Sequence, residues 1–291
     1  MSKDRVAITC SLNGILTDPR KHPVPVTPEQ MAQSAKEAYN AGASIVHIHF
    51  RQQKPGLGHF PSWEPDVAKA ITDAIRDACP DIVVNYTTGI MGDAVEAPIQ
   101  CLEAGLPEMA AMNAGSLNYL RTRQDGNWAW PPMLFDNPVE KIQKMLDAMY
   151  RLNIVPECEC FDTGIVRSIR MYIENGMLKS PPFVSLVMGV ASGMPARADL
   201  LPILLDELVD DAHWQTIVIG REEVWPVHRA AAALGGNLRT GLEDTFYMPD
   251  GSRATSNGQL IEALVQVARD AGREPMSPQE TRQMLGIGEA S

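Results

Sequence analysis

Two histidines separated by one residue are the first feature of the sequence that could do chemistry. They lie in the segment Val46-His47-Ile48-His49-Phe50-Arg51, which alternates apolar and polar residues as a β-strand does. Because successive side chains of a strand point to opposite faces, His47 and His49 share one face. Two neutral imidazoles about 6–7 Å apart can bind one metal ion that takes a third protein ligand and keeps an open position. The alternative is a pair of hydrogen-bonded core histidines.

A pair of adjacent acids near the end of the chain offers the third ligand. Arg239, Glu243 and Asp244 lie where the last predicted strand ends. Glu243 could reach an ion held by the two histidines, and Asp244 is a candidate general base that Arg239 could orient. The alternative is a glycine turn followed by a helix-capping acid. The remaining histidines do not lie at the exit end of a predicted strand: His22, His59, His213 and His228.

Two further carboxylates share one face of the fifth predicted strand, in Pro156-Glu157-Cys158-Glu159-Cys160-Phe161-Asp162. Carboxylates inside a protein are costly unless they are hydrogen-bonded, bound to metal or protonated. Glu159, nearer the strand end, is the functional candidate, and Glu157 is expected to make an internal polar contact. Asp162 is in position to cap the next helix.

Polar residues also follow the third and fourth predicted strands. Hydroxyl and backbone N–H groups ahead of a helix suit a carboxylate or a phosphate, so Thr87, Thr88, Gly89 and Asn113 are candidate substrate contacts. An ordinary threonine-glycine turn is the alternative. Arg221 opens the seventh predicted helix, where barrels often bind phosphate; otherwise it is a solvated arginine.

These residues are distributed over a regular alternation of strands and helices. The predicted strands are Arg5–Cys10, Ser44–Phe50, Asp81–Tyr86, Glu108–Met112, Ile154–Phe161, Phe183–Met188, Gln215–Ile219 and Gly236–Thr240. The predicted helices are Thr27–Asn40, Pro65–Ala78, Val95–Ala104, Pro138–Arg151, Asp162–Asn175, Ala196–Leu208, Glu222–Leu234 and Ser256–Ala271.

Eight strand–helix units predict a closed (β/α)8 TIM barrel with the active site at the C-terminal ends of its strands. In such a barrel the eighth and second strands flank the first, which would bring Glu243 near His47 and His49. The rival architecture, an open doubly wound sheet, usually shows a GxGxxG turn after its first strand, where this chain has Ser11-Leu12-Asn13-Gly14-Ile15-Leu16. Nothing resembles a linker, so residues 1–291 are expected to form a single catalytic domain.

The net charge indicates which kinds of partner the protein binds, and the cysteines and apolar runs indicate its cellular location. The 25 basic and 36 acidic residues give a net charge of −11, which disfavours nucleic acid and anionic membranes and favours small molecules. The five cysteines form no CxxC pair, and no apolar run is long enough for a signal peptide or a membrane span. A reduced, cytoplasmic protein is expected.

The ordered motifs together resemble the β-keto acid cleavage enzymes, the family of the 3-keto-5-aminohexanoate cleavage enzyme of lysine fermentation. The resemblance extends over essentially the whole chain and rests on His47-Ile48-His49, Thr87-Thr88-Gly89, Pro107-Glu108-Met109-Ala110, the segment from Pro156 to Asp162 and Arg239-Thr240-Gly241-Leu242-Glu243-Asp244.

This resemblance implies a zinc-dependent barrel enzyme that converts a β-keto acid and acetyl-CoA into acetoacetate and a new acyl-CoA. It also implies a homo-oligomer, with a tetramer favoured. By the same resemblance, His47, His49 and Glu243 bind one zinc ion per subunit, which polarises the keto acid as a Lewis acid. Asp244, supported by Arg239, abstracts the α-proton. Glu159 is a site carboxylate, and Thr87 contacts the substrate carboxylate.

Two departures from the family pattern concern the substrate. Ile15 stands where the lysine-fermentation enzyme has a glutamate suited to an ammonium group, so 3-keto-5-aminohexanoate is not expected to be the preferred substrate. Ala111 stands where a threonine is expected, which removes one hydroxyl from the carboxylate contact.

Two other functions fit parts of the pattern. A metal-dependent hydrolase of the amidohydrolase type would carry its HxH motif on the first strand, with histidines at later strand ends, and this chain has neither. A barrel that only binds or regulates would not need the acid pair beside Arg239.

Overall fold

The computed structural model describes residues 4–288, and its centre is a closed barrel of eight parallel strands. The barrel strands are β1 (Ile8–Ser11), β2 (Ile45–Ile48), β3 (Val83–Tyr86), β4 (Met109–Asn113), β5 (Val155–Cys160), β6 (Phe183–Met188), β7 (His213–Val218) and β8 (Asn237–Thr240). β8 pairs with β1 and closes the sheet, so the predicted (β/α)8 barrel is confirmed and the open sheet is wrong.

A helix follows each barrel strand. The helices are α1 (Pro28–Ala41), α2 (Pro65–Ala78), α3 (Glu96–Gly105), α4 (Val139–Arg151), α5 (Thr163–Glu174), α6 (Leu201–Glu207), α7 (Val224–Ala233) and α8 (Asn257–Asp270). α1 shows why these segments fold locally: the Thr27 hydroxyl accepts a hydrogen bond from the backbone N–H of Gln30, and Gly42 ends the helix at a φ of 115°.

Two separate apolar clusters organise the core. The larger one fills the space between the strands and the helices. It contains Val46, Ile48, Cys158 and Cys160, the residues that strand alternation places on the face opposite the histidines and glutamates. The smaller one fills the amino-terminal end of the barrel interior, and its buried members are Ala7, Ile45, Val83, Met109, Phe183, Met276 and Met284. The interior is therefore apolar at its amino-terminal end, and the inward-facing polar residues lie in the middle and at the carboxyl-terminal end of the barrel.

Several elements differ from the prediction. The strands are mostly shorter, for example Ile45–Ile48 in place of Ser44–Phe50. An antiparallel hairpin of Leu117–Tyr119 and Met133–Phe135 projects after β4, and a further helix, α9 (Pro278–Met284), follows α8; neither was predicted. All five cysteines are free. Within residues 4–288, no helix is both long and apolar enough to cross a membrane.

Candidate metal-binding active site

Strand register brings the two histidines and Glu243 together at the carboxyl-terminal end of the barrel. Ser11 of β1 is paired with His47 of β2, and the turn after β8 folds over β1, where the backbone N–H of Glu243 donates to the Ser11 carbonyl at 3.3 Å. The His49 Nε2 atom lies 3.1 Å from Glu243 Oε1, and His47 Nε2 lies 3.7 Å from Oε2. One ligand atom from each of the three residues lies within 4.8 Å of the others.

The residues of this cluster fit a divalent cation. Two buried atoms of this cluster, Glu243 Oε2 and His47 Nδ1, have no hydrogen-bond partner among the described residues. Burial, assisted by Arg239, lowers the pKa of His47 well below its ordinary value, so its imidazole is neutral, as a metal ligand must be. Burial opposes ionisation of Glu243, but His49 and the guanidinium of Arg239 outweigh it and hold the pKa of that carboxyl below its usual range. Two imidazoles and one carboxylate form a ligand set typical of catalytic zinc.

A buried ion pair lies directly beside the cluster. Arg239 donates from Nε to Asp244 Oδ2 at 3.1 Å and from Nη2 to Oδ1 at 3.2 Å. The Ser11 hydroxyl donates to Asp244 Oδ2 at 2.6 Å, and Arg239 Nη2 lies 3.1 Å from Glu243 Oε1. Burial raises the pKa of Asp244 above its ordinary value, with Arg239 acting in the opposite direction. The guanidinium thus links the two adjacent carboxylates and fixes their orientation.

The two carboxylates of β5 have different surroundings. Glu157 is fully buried and accepts hydrogen bonds from Ser185 Oγ at 2.5 Å and Gln215 Nε2 at 2.8 Å, which is the internal polar contact expected for it. The Glu159 side chain is 15% exposed and lies 3.8 Å from Arg239 Nη1, an atom with no hydrogen-bond partner among the described residues. Burial and the nearby Glu157 raise the pKa of Glu159 to about 8. Glu159 is therefore the carboxyl that can keep a proton near neutral pH.

The candidate substrate contacts lie around Gly89. A Cβ atom built on Gly89 would be 3.5 Å from Asn113 Nδ2 and 3.9 Å from Thr87 Oγ1, so these three residues are neighbours. The Thr88 hydroxyl donates to the Ala111 carbonyl and so fixes the turn.

A buried lysine holds the segment that follows Gly89. Lys141 Nζ donates to the carbonyls of Ile90 at 2.8 Å, Gly92 at 2.7 Å and Asp136 at 2.8 Å. The polar turn after β3 is therefore fixed to the segment before α4.

The loop after β1 supports the His47–His49–Glu243 cluster through residues that the sequence did not single out. Asn13 brackets the backbone of His49: its Oδ1 accepts from the His49 N–H and its Nδ2 donates to the His49 carbonyl, both at 3.0 Å. A Cβ on Gly14 would lie 2.5 Å from Glu243 Cγ, so only glycine fits there.

Buried Arg51 donates to the carbonyls of both Asn13 and Gly14, and to the Gly58 carbonyl at 2.9 Å. In the sequence, His47, His49 and Arg51 are each two residues apart, and this strand-like spacing could have identified Arg51 as a residue on the same face.

Other residues noted in the sequence lie outside this cluster. Asp162 caps α5, its carboxylate accepting from the N–H of Ile165. Arg221 lies in the turn before α7, which begins at Val224 and not at the predicted Glu222.

The fold and this cluster define a class of protein: a (β/α)8 barrel enzyme whose polar site lies at the carboxyl-terminal strand ends. The chain belongs to the beta-keto acid cleavage enzyme family, whose sequence profile matches residues 5–287. It is therefore an enzyme of this kind. The family match favours the predicted family over the amidohydrolase-type and non-enzymatic alternatives.

Individual relatives match the chain over nearly all of its length. A 3-dehydrocarnitine:acetyl-CoA trimethylamine transferase from Rhizobium meliloti (strain 1021) is 32% identical, covering 97% of this chain and 96% of the relative. A 3-keto-5-aminohexanoate cleavage enzyme from Acetoanaerobium sticklandii is 30% identical, covering 98% and 99%. Among solved structures, the apo structure of ObcA is similar in fold, with a TM-score of 0.70 and 19% identity; the match spans 91% of this chain and 66% of ObcA.

Proposed function

We propose that this enzyme exchanges acyl groups between a 3-keto acid and acetyl-CoA, giving acetoacetate and a new acyl-CoA. The α-carbon of the keto acid loses a proton and forms a bond to the acetyl carbonyl carbon, and the thioester C–S bond breaks. The coenzyme A thiolate then attacks the original keto carbonyl. Cleavage of the bond from that carbon to the α-carbon releases the new acyl-CoA, and a proton returns to the α-carbon to give acetoacetate.

The single observation that carries this proposal is the His47–His49–Glu243 cluster lying against the Asp244–Arg239 ion pair. We propose that the three cluster residues hold one zinc ion per subunit. Bound there, zinc would polarise the keto-acid oxygens as a Lewis acid. The Glu243 side chain is 17% exposed and is oriented by Arg239, and its Oε2 atom, which has no hydrogen-bond partner among the described residues, lies 3.7 Å from His47 Nε2.

Other residues of the site supply proton transfer, charge stabilisation and substrate binding in the proposed reaction. Asp244 takes the α-proton and later returns it, and Arg239 fixes its orientation through two hydrogen bonds. Glu159, with its raised pKa, can donate a hydrogen bond from a neutral carboxyl to a developing negative charge. Thr87, Gly89 and Asn113 bind the substrate carboxylate, and Thr88 holds their turn in place.

The substrate is proposed to differ from that of the lysine-fermentation enzyme. Ile15 directly follows Gly14, which packs against Glu243, so this side chain lies in the loop next to the site. Isoleucine cannot pair with an ammonium group. Relatives named for 3-dehydrocarnitine, 3-oxoadipate and 3,5-dioxohexanoate show that the far end of the keto acid varies within the family. We propose a 3-keto acid that is less polar at that end.

A coupled assay for acetoacetate tests the function. Acetyl-CoA is supplied with a panel of 3-keto acids that differ only at the far end, with an ammonium, a quaternary ammonium, a carboxylate or an alkyl group. We expect turnover of the alkyl substrate to exceed that of the ammonium substrate. If no keto acid is consumed while a cyclic amide or lactone is hydrolysed, the proposal is wrong.

We further propose that the barrel is one catalytic domain that assembles into a homo-oligomer, with a tetramer favoured. The hairpin after β4 exposes Met133 and Leu134 by 43% and 51%, which suits a contact with another surface. Sedimentation equilibrium of the purified protein measures the assembly directly. The five free cysteines support the proposed cytoplasmic location.

A further inference from the structure

Two arginines approach one tyrosine at the mouth of the barrel, in the loops after β7 and β8. Arg221 Cζ lies 4.4 Å from the centroid of the Tyr247 ring, and Arg253 Cζ lies 5.2 Å from it. Arg253 Nη1 also donates to the Tyr247 hydroxyl at 3.3 Å. We call Arg221, Tyr247 and Arg253 the arginine rim.

The centre of the arginine rim is rigidly held. The buried indole of Trp225 donates from Nε1 to the Tyr247 carbonyl at 2.9 Å, and the Tyr247 N–H donates to Thr245 Oγ1 at 3.2 Å. Tyr247 and Arg253 also face each other across an isolated antiparallel bridge. The two guanidiniums are thus held close together by a platform that does not depend on a ligand.

The positive charge of the arginine rim is poorly compensated. Among residues 4–288, no carboxylate lies within ion-pair distance of Arg253, whose further contacts are with the neutral acceptor His22 Nδ1 at 3.0 Å and with the Phe246 ring, 5.2 Å from Cζ. In the part of the chain that the structure describes, Arg221 has one carboxylate within ion-pair distance, that of its neighbour Glu222 at 3.7 Å, and both side chains are about 60% exposed or more. By contrast, Arg20, at the same end of the barrel, donates two hydrogen bonds of 2.9 Å to Asp18.

The arginine rim is also close to the reacting groups. The backbone N–H of Gly220, next to Arg221, donates to the Asp244 carbonyl at 3.2 Å. Tyr247 is three residues beyond Asp244, so their Cα atoms are at most about 11 Å apart. The loops after the seventh and eighth strands are where barrels frequently bind phosphate.

The co-substrate of the proposed function, a coenzyme A thioester, carries phosphate groups that match the guanidiniums of the arginine rim. In coenzyme A, a long pantetheine arm separates the thioester from the phosphate groups, so a thioester that reacts at Asp244 must leave its phosphates at the mouth. A chain of net charge −11 needs local cations to bind such a ligand. The planar guanidinium fork matches phosphate oxygens.

We propose that Arg221 and Arg253, held around Tyr247, bind the phosphate groups of the coenzyme A thioester. This inference rests on the proposed function for the identity of the ligand. It assigns to the arginine rim the recognition of the nucleotide end of the co-substrate, away from the bonds that change.

Truncation of the co-substrate tests the assignment. The measured quantity is the preference of the enzyme for acetyl-CoA over acetyl-pantetheine, which lacks every phosphate, expressed as the ratio of the two kcat/KM values. We expect Arg221→Gln and Arg253→Gln each to lower this ratio about tenfold, through KM for acetyl-CoA. The matched control Arg20→Gln removes the same charge at the same end of the barrel, where Asp18 already neutralises it, and is expected to keep the wild-type ratio.

Two results would overturn the assignment. One is an unchanged ratio in both rim variants. The other is a loss in Lys54→Gln but not in the rim variants, because Lys54 lines a separate cleft of about 290 Å³ between the loops after β1 and β2. Calorimetric titration with coenzyme A separates this inference from the proposed function. If no keto acid is turned over yet coenzyme A binds about tenfold more weakly to both rim variants, the arginine rim is supported and the reaction is not.

Discussion

Glu243 and Asp244 are adjacent in the chain and share Arg239, yet their surroundings prepare them for different tasks. The imidazoles of His49 and His47 face Glu243, and the pKa of its carboxyl is lowered despite burial. Asp244 faces Ser11 and the guanidinium, and burial raises its pKa. Two carboxylates whose pKa values are moved in opposite directions are suited to one ligand role and one proton-transfer role.

The first prediction separates these roles. Glu243→Gln is expected to lower zinc affinity by more than about tenfold, because an anionic ligand is replaced by a neutral amide. Asp244→Asn is expected to keep stoichiometric zinc and to lose about 10²–10⁴-fold in turnover, because an amide cannot accept the α-proton. Metal content after dialysis and acetoacetate formation measure the two effects. Loss of metal in both variants, or full activity of Asp244→Asn, would contradict the assignment.

Strand alternation was sufficient to predict which residues face the site, but not what they contact. It correctly placed His47 and Glu159 on the interior and Cys158 on the helix side. Ser11 and Asn13 could not be identified in this way, because a serine or asparagine near a strand end is ordinary in isolation. Their roles arise only from contacts with residues about 230 and 36 positions away.

Among the structural elements, the loop after β1 controls the geometry of the cluster without supplying a ligand. Asn13 fixes the backbone of His49, and Gly14 lies against the side chain of Glu243 at a φ of +48°. Arg51 binds the carbonyls of both loop residues. Because one segment touches two of the three cluster residues, a small displacement of this loop changes the separation of the proposed ligands.

The second prediction uses the close approach of Gly14 to Glu243. Gly14→Ala would place a methyl group 2.5 Å from Glu243 Cγ, so we expect the carboxylate to move and zinc affinity to fall about tenfold or more. The matched control is Gly56→Ala, which also has positive φ, at +81°, but has nothing within 4 Å of the new methyl group.

Both alanine variants are expected to lose about 1 kcal/mol of unfolding free energy through backbone strain. Only Gly14→Ala is expected to lose metal, as measured by competition with a chromophoric chelator. Equal zinc affinity in the two variants would show that the Gly14 contact does not position the ligand.

The eight strand–helix units were predictable because each combines a short buried run with a helical segment that buries one face, and α1, α5 and α8 also have side-chain N-caps. The hairpin after β4 was missed because its strands have only three residues each and expose much of their surface. α9 was missed although Ser277 and Glu280 form a capping box, a signal that is present in the sequence.

At the scale of the whole molecule, buried polar groups on the outside of the barrel affect stability more than chemistry. His228 of α7 is fully buried, and its Nδ1 atom is 3.5 Å from the Thr216 hydroxyl. Burial lowers the pKa of His228 from 6.5 to about 3. Between these values the unfolded chain binds a proton that the folded protein excludes, so the stability contributed by neutral His228 is present above pH 6.5 and is lost as the pH falls toward 3.

The third prediction follows from this difference. One excluded proton lowers the free energy of unfolding by about 1.4 kcal/mol per pH unit as the medium is acidified. His228→Gln keeps a polar group near Thr216 but does not titrate, so we expect its stability to fall less steeply between about pH 6 and pH 4. Urea unfolding of both proteins at several pH values gives the slopes. His47 and His49 are common to both proteins and cancel in the comparison, so identical slopes would refute the role of His228.

The closure of the sheet between β8 and β1 has a consequence for biosynthesis. His49 and Glu243 are separated by 194 positions, so a nascent chain carries both imidazoles long before the carboxylate leaves the ribosome. Because contacts between distant parts of a chain form slowly, the three proposed ligands come together only when the last strand is inserted. Metal loading would therefore report on completed folding: a chain arrested after seven strands would have its histidines, but no tight site and no base beside it.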